Sequence, residues 1–133
     1  MNDDNLPPVL LAAANGHLDE LINLHEIGEP IDEPNEEGWT ALMHAADRGH
    51  SGIVQWLLDH DADIAQRDDY GATPLLRAAT GGHVDIAQML LDHGADLNVL
   101  DRYGETPLLR AAKEGHRIFV EWMVENGADI NIP

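Results

Sequence analysis

Eight histidines and 25 carboxylates in 133 residues make metal ligation and proton transfer the first chemistries to test. His17, His50, His83 and His116 recur at intervals of 33 residues, and so do His60 and His93. A zinc ion needs its nitrogen ligands within about 2.1 Å of itself. Residues one structural repeat apart are separated by about 10 Å, the spacing of packed helices, so these histidines cannot share an ion. His60 and His93 follow Asp59 and Asp92, where an imidazole at a helix C-terminus meets the negative end of the helix dipole. Asp59, Asp61 and Asp63 imitate the opening of a calcium loop. The glycine and glutamate such a loop needs at its sixth and twelfth positions are replaced by Ile64 and Tyr70, which breaks the pattern. Cysteine is absent, Ser51 is the single serine, and there is no nucleophile elbow, phosphate-binding glycine loop or HExxH. The expectation is a protein that is not an enzyme and needs no metal or cofactor.

The 33-residue interval extends well beyond histidine. Gly16, Gly49, Gly82 and Gly115 share a register, as do Gly38, Gly71 and Gly104, and the string TPLLRAA occurs at Thr73–Ala79 and again at Thr106–Ala112. Residues 1–133 therefore read as a single domain of four repeats, approximately 2–34, 35–67, 68–100 and 101–133. In repeats three and four, Thr73-Pro74 and Thr106-Pro107 offer a side-chain acceptor at an N-cap and a residue without an N–H at the first helical position, and Thr40-Ala41 keeps the cap without the proline. A helix of about two turns follows and closes at a Gly-His turn. A second helix carries apolar residues at helical spacing, such as Ile86, Ala87, Met89, Leu90 and Leu91, and stops at Gly94, with Asp61 standing in that register in repeat two. Helices this short are marginal alone, so each pair must bury its apolar face on its neighbours.

The stretch from Asp68 to Asn98, DDYGATPLLRAATGGHVDIAQMLLDHGADLN, resembles an ankyrin repeat: a β-turn, a Thr-Pro-Leu opening, two antiparallel helices and a Gly-Ala-Asp exit. The resemblance covers residues 35–131 closely and repeat one more loosely, with Pro7 in place of the capping threonine. It implies an all-α solenoid of helix-turn-helix units with hairpin-like connections. It further implies that the turn histidines are structural and that partners dock on the concave face formed by the first helices and turn tips. One departure is systematic. Where the family carries histidine after Thr-Pro-Leu, this chain has Met43, Leu76 and Leu109, so apolar packing must replace that histidine's hydrogen bonds.

Leu75, Ala78, Ala79 and Gly82 form one helical stripe, and Arg77 lies about 200° from Leu75. Arg77 therefore points away from the packed face. On the implied concave face fall Trp39, His44, Arg48, Tyr70, Arg77, Arg102, Tyr103, Arg110 and Lys113, which are the candidate partner-binding residues. Arginine and large aromatics are enriched at interface hot spots. The competing reading is charge balance, with Arg77 and Arg110 neutralising nearby acids such as Asp47 and Asp69; both readings stay open. Trp56, Met89 and Trp122 form a ladder on the second helices, expected to pack between repeats. Repeat four groups Ile118, Phe119, Met123 and Val124 with Trp122, and no polar capping repeat is expected after it. That end is a candidate surface for association with a second copy or another partner, or an edge tolerated in a monomer.

The formal charge is -18. Residues 1–34 carry eight acids and no base, and the net falls to -4, -4 and -2 in the three repeats that follow. Such a charge repels nucleic-acid phosphate, and no apolar run approaches the ~20 residues of a membrane span. The expectation is a cytoplasmic protein that binds a protein partner through the groove, with no direct nucleic acid and no membrane. The alternative is an acidic inhibitor or immunity-type protein that covers a basic surface of a partner enzyme.

Overall fold

The computed structural model describes residues 6–130. Within them the chain forms eight helices: α1 (Pro8–Asn15), α2 (Leu18–Glu26), α3 (Ala41–Arg48), α4 (Ser51–Asp59), α5 (Pro74–Gly81), α6 (Val84–Asp92), α7 (Pro107–Lys113) and α8 (Arg117–Glu125). They pair in sequence, and no strand occurs among the described residues. The hydroxyl oxygens of Thr40, Thr73 and Thr106 accept from the N–H groups of Met43, Leu76 and Leu109 at 3.3, 3.4 and 3.1 Å, which fixes where α3, α5 and α7 begin. At α1 the N-cap is Pro7, and no side chain caps that helix. Asp61 adopts φ 63° in the register where the other repeats have Gly28, Gly94 and Gly127. An aspartate tolerates this left-handed geometry at a cost of about 1 kcal/mol.

The first helices stack α1 on α3 on α5 on α7, and the second helices form the outer layer. Leu75, Ala78 and Ala79 are fully buried, as are Leu42, Ala45 and Ala46 one repeat earlier; the alanines let adjacent first helices approach closely. Met43 and Leu76 are buried too, so apolar packing does occupy the site of the missing family histidine. Leu109, with no further repeat beside it among the described residues, is 43% exposed. Trp56, Met89 and Trp122 pack half-buried against the core, and Trp122 Nε1 donates to Gln88 Oε1 at 3.2 Å. The ladder is inter-repeat packing.

The turn histidines lock successive repeats together. The Nε2 atoms of His50, His83 and His116 lie 3.0, 3.0 and 2.8 Å from the carbonyl oxygens of Ala14, Asp47 and Thr80 at the end of the preceding first helix. Each ring rests on a glycine. A Cβ at Gly49 would come within 2.7 Å of the His83 ring, and one at Gly82 within 2.7 Å of the His116 ring. Positive φ and close approach together restrict those sites to glycine. His17, with no repeat before it among the described residues, lies 3.8 Å from Glu20. His60 and His93 place Nδ1 2.8 Å from the carbonyls of Trp56 and Met89, capping the last turns of α4 and α6. Asp63 accepts from the Ala65 N–H at 2.8 Å, and Asp32 accepts from the Asp63 N–H at 3.1 Å. The run of aspartates thus wires turns. No group of three or more His, Asp or Glu residues among those described is placed to hold a metal.

Candidate partner-binding groove

Each hairpin tip is organised by one side chain. Asn35 Oδ1 accepts from the N–H groups of Glu37 and Trp39, Asp68 Oδ1 from those of Tyr70 and Ala72, and Asp101 Oδ1 from those of Tyr103 and Glu105. These are Asx turns, in which a short polar side chain substitutes for a backbone acceptor. Neighbouring tips are joined by Asp69 N–H to the Glu37 carbonyl at 3.0 Å and Arg102 N–H to the Tyr70 carbonyl at 2.9 Å. The joint brings Tyr70 and Tyr103 into register, their ring centroids 6.3 Å apart and their planes 26° from parallel. They are 48% and 67% exposed.

The arginine of TPLLRAA closes the other side of the tip. Arg77 Nη2 is ion-paired to Asp68 Oδ2. Arg110 Nη2 reaches Asp101 Oδ2 and Glu105 Oε1, each at 3.1 Å, and Lys113 Nζ reaches Glu105 Oε2 at 2.6 Å. The direct partners are thus Asp68, Asp101 and Glu105 rather than Asp69, while Asp47 feels the charge of Arg77 without an ion-pair contact to it. The carboxylates of Asp68 and Asp101 are fully buried. A carboxylate out of water needs both its hydrogen bonds and its counter-ion, and here turn N–H groups serve one oxygen while the guanidinium serves the other. Repeat two carries Asn35 and His44 in the same two registers, a neutral pair where repeats three and four have Asp with Arg. That matched exchange is the signal in the sequence that ties the arginine to the turn.

Trp39, His44, Arg48, Tyr70, Arg77, Tyr103 and Arg110 line one cavity of about 430 Å³ on the concave face, together with Glu37, Asp47 and Ala72. Seven of the nine candidates thus share a site. Arg102 and Lys113 do not line it; both are exposed beside it. The Arg77 guanidinium lies 4.1 Å over the Trp39 ring, a cation–π contact, and Trp39 also packs against His44, centroids 4.8 Å apart. Burial pushes the Asp47 carboxyl above its ordinary value, with the charges of Arg77, Arg48 and His83 pulling the other way. Because Arg77 and Arg110 are already paired, the groove is not a positive trough. Its accessible character is aromatic, with paired charges behind.

Residues 1–68 and 62–133 match the family described as Ankyrin repeats (3 copies). The chain belongs to the ankyrin-repeat family. Among curated relatives, mouse Ankyrin repeat and SAM domain-containing protein 6 is 41% identical over 66 residues, 49% of this chain and 8% of that protein. The rice Probable E3 ubiquitin-protein ligase XBOS33 is 49% identical over 51 residues, 38% of this chain and 10% of the relative. Human NAD-capped RNA hydrolase NUDT12 is 43% identical over 53 residues, 39% and 12% respectively. The matched ankyrin segments thus span about a tenth of these relatives' length. Ankyrin repeats are in general protein-binding modules, and in this chain no described helix is long and apolar enough to cross a membrane.

Proposed function

We propose that this ankyrin-repeat domain is a non-catalytic module that binds a protein partner in the concave groove. The observation that carries the reading is the exposed Tyr70–Tyr103 pair set beside the Trp39–Arg77 stack in one cavity. Rigid aromatic side chains lose little conformational freedom on binding and supply large contact area, the qualities of interface anchors. Arg77 and Arg110 serve first as struts that hold the tips, with their outer edges available to partner carbonyls. The charge of -18 favours a partner with a basic surface and speeds its approach.

The test is affinity for a partner captured on the immobilised chain. Alanine at Tyr70 and Tyr103 together is expected to weaken binding by about 30-fold or more, the loss of one hot spot at about 2 kcal/mol. Unchanged affinity in that variant contradicts the groove assignment.

A further inference from the structure

Asp47 lies in the last turn of α3, half-buried, in the wall of the concave cavity. Its backbone carbonyl receives the His83 ring, but Ala14 and Thr80 offer the same carbonyl to His50 and His116. The repeat therefore needs no carboxylate at this position. The side chain is costly where it stands. The negative end of the α3 dipole is beside it, and burial holds its carboxyl above the ordinary value. The buried acids behind the wall, Asp68, Asp101 and Glu105, are all ion-paired, whereas no ion pair or hydrogen bond among the described residues reaches the Asp47 carboxylate. Arg77, Arg48 and His83 act on it only through space. Arg77 is held by Asp68, Arg48 Nη1 lies 3.4 Å from the Ala14 carbonyl, and the His83 ring is turned to the backbone. Glu37 repeats the pattern at a hairpin tip. It takes the register that Tyr70 and Tyr103 hold in the next two repeats, lines the same cavity, and sits one step along from Tyr70 through the bond from Asp69 N–H to its carbonyl.

We infer that the groove admits an arginine side chain of the partner, its guanidinium held by the Asp47 carboxylate with Glu37 and Tyr70 beside it. The inference rests on the groove being the partner-binding site and adds the chemistry of what enters it. Charge selects a cation. The carboxylates of Asp47 and Glu37 lack a counter-ion, while Arg77 and Arg110 are already neutralised by Asp68, Asp101 and Glu105, so an anionic group meets little free positive charge. The aromatic rings agree, because their faces attract cations. Arginine suits the site better than lysine: its guanidinium is less strongly hydrated, stacks on rings and meets a carboxylate with two parallel hydrogen bonds. The cavity already holds one guanidinium in this manner, Arg77 lying 4.1 Å over the Trp39 ring. An entering cation supplies the counter-ion that the half-buried Asp47 lacks, so the cost of that charge in the free protein is offset in the complex.

Asp47→Asn keeps the shape of the side chain and removes its charge. Affinity for the captured partner is expected to fall about tenfold in this variant, while the fold resists unfolding better than the parent at neutral pH, a split that a purely structural aspartate does not produce. A defined probe gives the second arm. In proton–nitrogen spectra of the intact chain, the peptide Gly-Ser-Arg-Ser-Gly at up to about 10 mM is expected to shift the Trp39 indole N–H saturably and to leave those of Trp56 and Trp122 in place. The same peptide with citrulline, which has the shape of arginine without the charge, is expected to bind about fivefold more weakly, and Asp47→Asn to abolish that difference. No saturable shift, equal binding of the citrulline peptide, or unchanged partner affinity in Asp47→Asn overturns the inference. Loss of the partner on alanine replacement of Tyr70 and Tyr103 without loss in Asp47→Asn would leave the groove standing and remove the arginine; no loss in either removes both.

Discussion

Arg77 shows how one residue serves both stability and the binding surface. Its guanidinium pairs with a carboxylate of zero side-chain exposure while being itself 13% exposed, and its other face covers Trp39. Removing one member of such a pair costs far more than removing both. Arg77→Met is therefore expected to destabilise the fold by about 3 kcal/mol, and the double change Asp68→Asn with Arg77→Met by much less, a coupling that urea unfolding of the four-member cycle measures. Asp47 behaves in the opposite sense. Its folded-state pKa is raised above the ordinary 3.8, chiefly by burial, so the charged form is the costly one. That cost is absent below the ordinary value, where the group is protonated in both states, and is fully present once pH rises through the folded-state value. Asp47→Asn is expected to unfold at higher urea than the parent at about pH 7, with the difference disappearing as pH falls to about 4. The outward direction of Arg77 was legible from helical angle alone. Its partner was not, because Asp68 lies in the turn nine residues earlier, and only the Asn35–His44 exchange in repeat two hints at the pairing.

At the level of elements, period, caps and helix pairs follow from local chemistry and were readable from Thr-Pro, Gly-His and the apolar spacing. The contact that joins repeats was less so. The His83 ring reaches back to the Asp47 carbonyl and settles on Gly49, a relation across 36 residues that single-helix patterns do not encode. Two glycine variants separate local strain from that seat. Gly115→Ala meets open space at φ 78° and is expected to cost about 1 kcal/mol for left-handed backbone. Gly49→Ala adds a 2.7 Å clash with the imidazole and is expected to cost at least about 2 kcal/mol more. Equal losses in thermal unfolding would mean that the histidine seat contributes nothing. Leu109 illustrates the same limit: its apolar role was readable, while its exposure depends on which repeat stands beside it.

For the whole molecule, repeats two to four present a concave side lined by Trp39, Tyr70, Tyr103 and the paired Arg77 and Arg110, and the second helices form a convex side with exposed acids such as Asp19, Asp59, Asp85 and Glu121. The charge of -18 argues against a polyanion as direct partner, and the aromatics and arginines of the cavity lie where the units curve inward. Family membership adds the general habit of protein binding. The specific claim is that the partner lies against Tyr70 and Tyr103. A photoreactive phenylalanine analogue placed at position 70 or 103, and separately at convex positions 55 or 85, measures this most directly in the intact chain. The account predicts that irradiation captures the same partner from positions 70 and 103 and not from 55 or 85. Capture from the convex positions with none from the groove would contradict it.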